Sequence, residues 1–403
     1  MADPPAAVGP SPPAPRLVSR GDHLAEVVER CQRADELALD VESNGLHAYR
    51  AELCVLQLAW RSARGVEVAI VDCRAVTLAP LRPLLGSGGP PKVLHDVSFD
   101  AQLLRDAGLP LDVVRDTAAA ACLLGEPATG LAPLAESWLG ISLSKELQNH
   151  DWAERPLTDR QVAYLAGDVQ HLSALADRLW ARAAELDVVE EIAAECAYRL
   201  ACALRPRTGP DERERYGRVK GQAALDGRQR AVLQRLVEAR ERIARDLDCP
   251  AFRVAPDRWL VVVARRQPRT VAELASTGRR ASPEPPHGAA WIAAVEQGAM
   301  DEPIELTEPR PTPEQIAMHA RKRQVRAQIN RWRRAEAEQR GIDVQAVLPG
   351  HCAHDLAAVL AAHRPDDLPG LRQAIARIEG LGAKRLARYR DEWAGAAASW
   401  TPA

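Results

Sequence analysis

The sequence predicts a mixed β-sheet flanked by helices, an α/β domain, followed by two small all-α domains. Three observations lead there. Strand-like apolar runs stop near Val114, helical spacing takes over from Thr158, and a proline-rich interval divides the helical part. A β-meander followed by β-α-β-α gives a sheet with both faces covered.

The elements follow in order. Leu37, Leu39 and Val41 alternate as one face of a strand does. Cys54–Leu58 and Val66–Val71 follow after short connections, so these three strands are expected to form an antiparallel meander. Lys92-Val93-Leu94 reads as a short strand leading into a helix through Leu103-Leu104, and Val113-Val114 as the last strand. Thr158 with Gln161 makes a capping box after Pro156, which predicts one long helix to about Leu186. The expected organisation is a disordered tail over 1–17, an α/β domain over 18–200, helical domains over 218–299 and 314–397, and a linker at 300–313.

Composition narrows the function classes. At 403 residues with 46% hydrophobic content, the chain can bury two or three cores. Its formal net charge of −2 argues against indiscriminate coating of nucleic acid and leaves local basic patches open. None of the eight cysteines forms a C-x-x-C, so neither a zinc ribbon nor a secreted disulfide framework is expected. The Pro/Ala-rich start has no apolar core segment, and no run of about 18 apolar residues occurs, so a cytoplasmic protein without a membrane partner is expected.

The chemistry lies in the acidic residues. Asp40 and Glu42 are two apart on a strand and share a face, where like charges repel unless a cation lies between them. His95 and Asp100 fall where a strand turns into a helix. Tyr164 and Asp168 are one turn apart on a later helix. Each signal alone also fits a structural role.

Taken in order, Asp-x-Glu, then His-x4-Asp, then Tyr-x3-Asp resembles the tyrosine branch of the DEDD exonuclease superfamily. The surrounding text is similar to ribonuclease D: Asp40-Val41-Glu42-Ser43, Lys92-Val93-Leu94-His95, Asp116-Thr117, Gly130-Leu131-Ala132, Asp151-Trp152 and Tyr164–Asp168. This resemblance spans roughly 17–190 and implies a ribonuclease H-like fold using two divalent ions, Mg²⁺ or Mn²⁺. Hard ions of this kind take carboxylate oxygens, and a pair of them suits phosphodiester hydrolysis. By the same resemblance, Asp40 bridges the ions, Glu42 and Asp168 hold the one beside the nucleophile, Asp100 holds the other through water, and Tyr164 orients the attacking water. Lys145 and Arg155 are candidates for holding phosphates, His95 for contacting substrate, and Leu46 and His47 for packing against the terminal base. For Lys145, Arg155 and His95 the alternatives are a solvated Lys, a structural Arg and a strand-end His bonded to backbone.

The helical half is similar to two copies of the helicase-and-ribonuclease-D C-terminal domain. The first copy is carried by Gln229–Leu233, Arg240-Glu241 and Pro268–Leu274; the second is less distinctive. Arg321-Lys322-Arg323, Arg326, Arg331 and Arg333-Arg334 load one helix with cations suited to phosphates. The alternative is a solvated helix paired with Glu336 and Glu338. Lys384, in Gly380–Arg385, sits in a glycine-rich turn that suits a phosphate backbone or simply a tight helix–helix connection. His351-Cys352-Ala353-His354 is too cramped for zinc, and Ser142-Leu143-Ser144-Lys145 has no partner motif for acyl transfer.

The expectation is therefore a 3′→5′ exoribonuclease trimming RNA 3′ ends, with tRNA precursors or other structured RNA as substrate, nucleoside 5′-monophosphates as product and a monomer as the family default. A 3′→5′ DNA exonuclease and a catalytically silent nucleic-acid-binding protein are the alternatives.

Overall fold

The computed structural model describes residues 13–206, 212–278, 287–305, 312–363 and 367–400. It divides into two compact units. One comprises Met1–Ser43, Leu53–Arg205 and Pro311–Ala403, the other Asn44–Glu52 and Pro206–Arg310.

In the first unit a six-stranded sheet runs in the order β1-β4-β3-β2-β5-β6. The strands are β1 (Arg16–Val18), β2 (Leu37–Ser43), β3 (Leu53–Ser62), β4 (Gly65–Asp72), β5 (Lys92–Leu94) and β6 (Val114–Asp116). β2, β3 and β4 form the expected antiparallel meander, while β1 and β5 join it in parallel. Arg16 and Leu17, assigned from sequence to the tail, pair with Ala69 and Ile70; the rest of the tail to residue 12 lies outside the described residues. Three residues are too few to show alternation, which hid β1.

Apolar side chains on both faces of the sheet build its cores. Leu37, Leu39, Val41, Leu56 and Leu58 pack with the helices Gly21–Gln32 and Val97–Asp106. Ala38, Val55, Ile70 and Val93 face Trp152, Leu165 and Val169 on the other side. The long helix expected from Thr158 is two helices, Asp159–Gln170 and Leu172–Glu185. The capping box starts the first, and the chain breaks at His171, whose φ of −107° leaves helical geometry.

The C-terminal helices of this unit, Pro313–Arg340, Gly350–Ala362, Leu368–Ala376 and Gly382–Trp400, enclose their own core around Ile329, Leu356, Ile375 and Trp393. They also attach to the α/β part. Ala346 and Ile342 pack with Ala119, Leu179 and Ile192, and His351 stacks on Tyr198 at 3.9 Å. The buried Arg385 donates to the carbonyls of Ala346 and Leu381.

The second unit is built on the helix Gly227–Asp246, started by an Asp226/Gln229 capping box, with Asp257–Arg266 and Gly288–Met300 packed around Leu233, Leu236, Leu260 and Trp291. Gly298 lies against the backbone of Val232, where an added Cβ would come within 2.4 Å. Among the described residues no helix is long and apolar enough to cross a membrane.

Candidate active site

β2 pairs with β3 along its length but with β5 only at Leu37 and Ala38. Beyond Ala38 its β5-side edge is therefore open, and Asp40 and Glu42 lie on that free stretch. After Leu94 the chain turns at Asp96, which takes a left-handed conformation (φ 63°) that a short polar side chain tolerates better than most. The Asp96 side chain caps the next helix by accepting from the Ser98 amide, and Asp100 falls in that helix's first turn. Tyr164 and Asp168 come from Asp159–Gln170, packed across the same sheet.

These elements bring Asp40, Glu42 and Asp168 together: one carboxylate oxygen from each lies within 4.8 Å of the others. Asp100 is buried beside them, and its Oδ2 has no hydrogen-bond partner among the described residues. Asp40, Glu42 and Asp168 line one cleft of about 500 Å³ with Tyr164, His95, Phe99, Lys145 and Gln148, while Asp100 is buried and does not line it.

The electrostatics follow from withdrawal from water. Burial, the main cause, raises Asp40 to about 7. Glu42 rises to about 9, again first through burial and then through the charges of Asp40 and Asp168. Asp168 rises to about 7 by burial and by Asp40. Asp100 is held well above the usual carboxylate range by burial, then by Asp40 and Glu42. A group of acids that resists ionising together is a strong site for a cation, which stabilises every negative charge at once. Burial and the neighbouring carboxylates also raise the Tyr164 phenol, whose ring stacks on Trp152 at 5.8 Å.

Two supporting contacts fix this arrangement. Asp116, at the end of β6, accepts from the Asp96 and Val97 amides at 3.0 and 3.2 Å and from the Ala118 amide at 2.9 Å. It thereby ties together the starts of two helices, one of which carries Asp100. The sequence marked Asp116 only as part of a motif; its spacing from Asp100 gives no hint that it orients that helix. His95 Nδ1 lies 2.9 Å from the Thr117 hydroxyl, which donates to the Leu94 carbonyl, and burial lowers the His95 pKa. His95 is thus both anchored at the strand end and present in the cleft wall.

The other candidates separate. Lys145 is exposed at the cleft. Arg155 is turned to Asp72 and to the carbonyls of Trp152 and Cys54, and corrects the phosphate expectation: every end of its guanidinium is bonded within the fold. Lys384 Nζ meets the Asp187 carboxylate at 2.6 Å and its backbone carbonyl at 2.7 Å, so two of its three donors are engaged within the fold. Leu46 and His47 belong to the second unit, where Leu46 is exposed and His47 Nδ1 lies 3.1 Å from Arg253. Arg323 and Arg326 line a different cavity, in the C-terminal helices. Phe99, 54% exposed in the cleft wall, was missed because an apolar residue in a helical run reads as core.

Comparison with known proteins gives the chain a family and a fold. A 3′-5′ exonuclease family matches residues 15–184, and the HRDC domain matches residues 229–284. The chain is 32% identical over 299 residues to ribonuclease D of Cronobacter turicensis, covering 72% of this chain and 79% of the relative. It is 30% identical over 286 residues to ribonuclease D of Escherichia coli, covering 70% and 74%. The crystal structure of the Escherichia coli enzyme, described as an exoribonuclease involved in structured RNA processing, has the same fold, with a TM-score of 0.65 at 23% identity over 96% of this chain and 99% of that one.

Proposed function

Because the chain belongs to the ribonuclease D family and is a hydrolytic 3′-5′ exonuclease of that kind, we propose that it shortens RNA from the 3′ end with two divalent ions, Mg²⁺ or Mn²⁺, releasing nucleoside 5′-monophosphates. The proposed substrates are tRNA precursors or other structured RNA with an accessible 3′ end. The observation that carries this reading is the meeting of Asp40, Glu42 and Asp168 within 4.8 Å, with the unpartnered Asp100 oxygen beside them.

The donor set fits hard divalent ions: it is made of carboxylate oxygen, with no thiolate or imidazole in the group. Asp40, Glu42 and Asp168 would hold one ion, and Asp40 with Asp100 the second. When bound, such a pair activates water and stabilises charge on the attacking and leaving oxygens of the phosphodiester. Burial and the neighbouring carboxylates raise the Tyr164 phenol above its ordinary value, which favours the protonated form. Its hydroxyl therefore positions the attacking water by hydrogen bonding and does not serve as a base. Asp116 holds the Asp100 helix in place through the Asp96 and Val97 amides. Lys145 supplies a cation at the cleft for a phosphate of the bound strand, and Phe99 an aromatic face for a base.

We place the work in the cytoplasm, where the eight free cysteines would stay reduced. The product chemistry is tested by digesting a tRNA precursor carrying a 3′ extension and separating the mononucleotides. Nucleoside 5′-monophosphates are expected; nucleoside 3′-monophosphates would overturn the proposed bond cleavage.

A further inference from the structure

Gln57 stands in the middle of β3 with no exposed surface, and neither its Oε1 nor its Nε2 has a hydrogen-bond partner among the described residues. Alternation puts it on the face of the sheet that carries the carboxylates. Val55 and Ala59, its neighbours two residues to either side, belong to the core with Leu165, Ala166 and Val169, whereas Leu56 and Leu58 belong to the opposite core. An amide shut away from water without partners is unfavourable, and an apolar side chain of the same length would fill the position without that penalty.

The strand register identifies what the amide faces. On β4 its cross-strand neighbour is Ile70, which offers no hydrogen bond. On β2 the neighbour is Asp40, the carboxylate that both ions would share. Residues directly opposite in an antiparallel pair carry their Cβ atoms about 4.5–5.5 Å apart on one face, a span that a glutamine amide and a carboxylate can bridge. Glu42, opposite Val55, is only the diagonal neighbour and lies farther off.

We propose that Gln57 is a positioning residue of the metal site, whose side-chain N–H donates to the Asp40 carboxylate and holds it in the orientation that serves the ions. Carboxylates that ligate metals are themselves held by hydrogen bonds, and losing such a partner weakens the site although every ligand remains. With no exposed surface, Gln57 is out of reach of RNA and acts through Asp40 alone. The proposal rests on the metal-binding reading above.

The test uses the full chain and reads metal binding without RNA, from the electron paramagnetic resonance of free Mn²⁺ during a titration. Gln57→Met keeps the length of the side chain and removes the donor; Gln57→Leu is the second apolar variant should the first fold poorly. Either is expected to bind Mn²⁺ about ten- to a hundredfold more weakly than the parent. Metal-free thermal unfolding is expected at or above the parent's midpoint, because the variant buries no unpartnered amide. At saturating Mn²⁺, kcat on single-stranded RNA is expected to fall at least about tenfold with KM unchanged.

Unchanged Mn²⁺ affinity in a folded variant overturns the proposal. Failure of both variants to fold also overturns it, making Gln57 a strut of the core paired with another buried donor such as the Trp152 indole N–H. A raised KM at unchanged kcat does the same, by making the residue a substrate contact. A parent that takes up no Mn²⁺ removes the metal-binding reading itself, and this proposal with it. A parent that binds Mn²⁺ and cleaves, beside a variant that does both equally well, removes the role of Gln57 alone.

Discussion

Arg155 closes on Asp72 with Nε 2.7 Å from one carboxylate oxygen and Nη2 2.7 Å from the other, a bidentate pair that ties the loop before the Tyr164 helix to the end of β4. Asp72 is buried and Arg155 is three-quarters covered. Arg155→Ala leaves that carboxylate without its partner and is expected to cost about 2–3 kcal/mol of stability. Denaturant unfolding measures the cost. RNA affinity of the folded variant, read in EDTA, is expected to change far less than stability.

Lys384 gives the matching case at the C-terminal helices. Its ammonium is held by Asp187 and lies 3.4 Å from the buried Glu191. Lys384→Gln is expected to lower the unfolding midpoint while leaving the salt dependence of RNA binding as in the parent. A flattened salt dependence would return Lys384 to the RNA-binding surface.

The carboxylates predict a pH dependence whose sign can be worked out. Asp40 and Asp168 are raised to about 7 and Glu42 to about 9 in the folded protein, above the ordinary carboxylate range. The folded state then binds more protons than the unfolded one between those limits, so stability from these groups is present at acid pH and is lost as pH rises through about 7 to 9. Metal-free protein is expected to unfold more easily at about pH 9 than at about pH 5.5, and Glu42→Gln to shrink the difference. Mg²⁺ or Mn²⁺ should restore stability, more strongly at the higher pH, because the ions compete with protons for the same oxygens. Thermal denaturation across pH, with and without metal, provides the readout.

Tyr164→Phe removes a hydroxyl and keeps the ring that stacks on Trp152. With positioning of water as its task, kcat is expected to fall by about a hundredfold, with KM within a few-fold of the parent. The alkaline limb of the rate profile should stay where it was. Its loss in the variant would make the phenol a titrating base.

Much of this was legible in the sequence because spacing carries it. The Asp40/Glu42 pair reads from strand alternation, the Tyr164/Asp168 pair from helical periodicity, and the meander from its three apolar runs. What escaped depends on partners distant in the chain. Arg155 and Lys384 carry the charge a phosphate needs, and nothing local reveals that Asp72 and Asp187 already hold them, 83 and 197 positions away. Asp116 accepts from backbone amides 20 and 19 positions earlier in the chain; its residue type marks it as the cap of its own helix and gives no sign of that second role. The break at His171 lies within a continuous helical pattern, whose capping box marks only the start.

The most direct test of the central claim follows a 5′-labelled single-stranded RNA and its DNA counterpart with the full chain and Mg²⁺ or Mn²⁺, beside EDTA and Asp40→Asn. A ladder shortened stepwise from the 3′ end is expected, stronger on RNA, abolished by EDTA and reduced at least about a hundredfold by Asp40→Asn. A ladder that survives both EDTA and Asp40→Asn, or no ladder from protein that still binds RNA, would contradict the account; an equal or stronger ladder on DNA would contradict its choice of substrate.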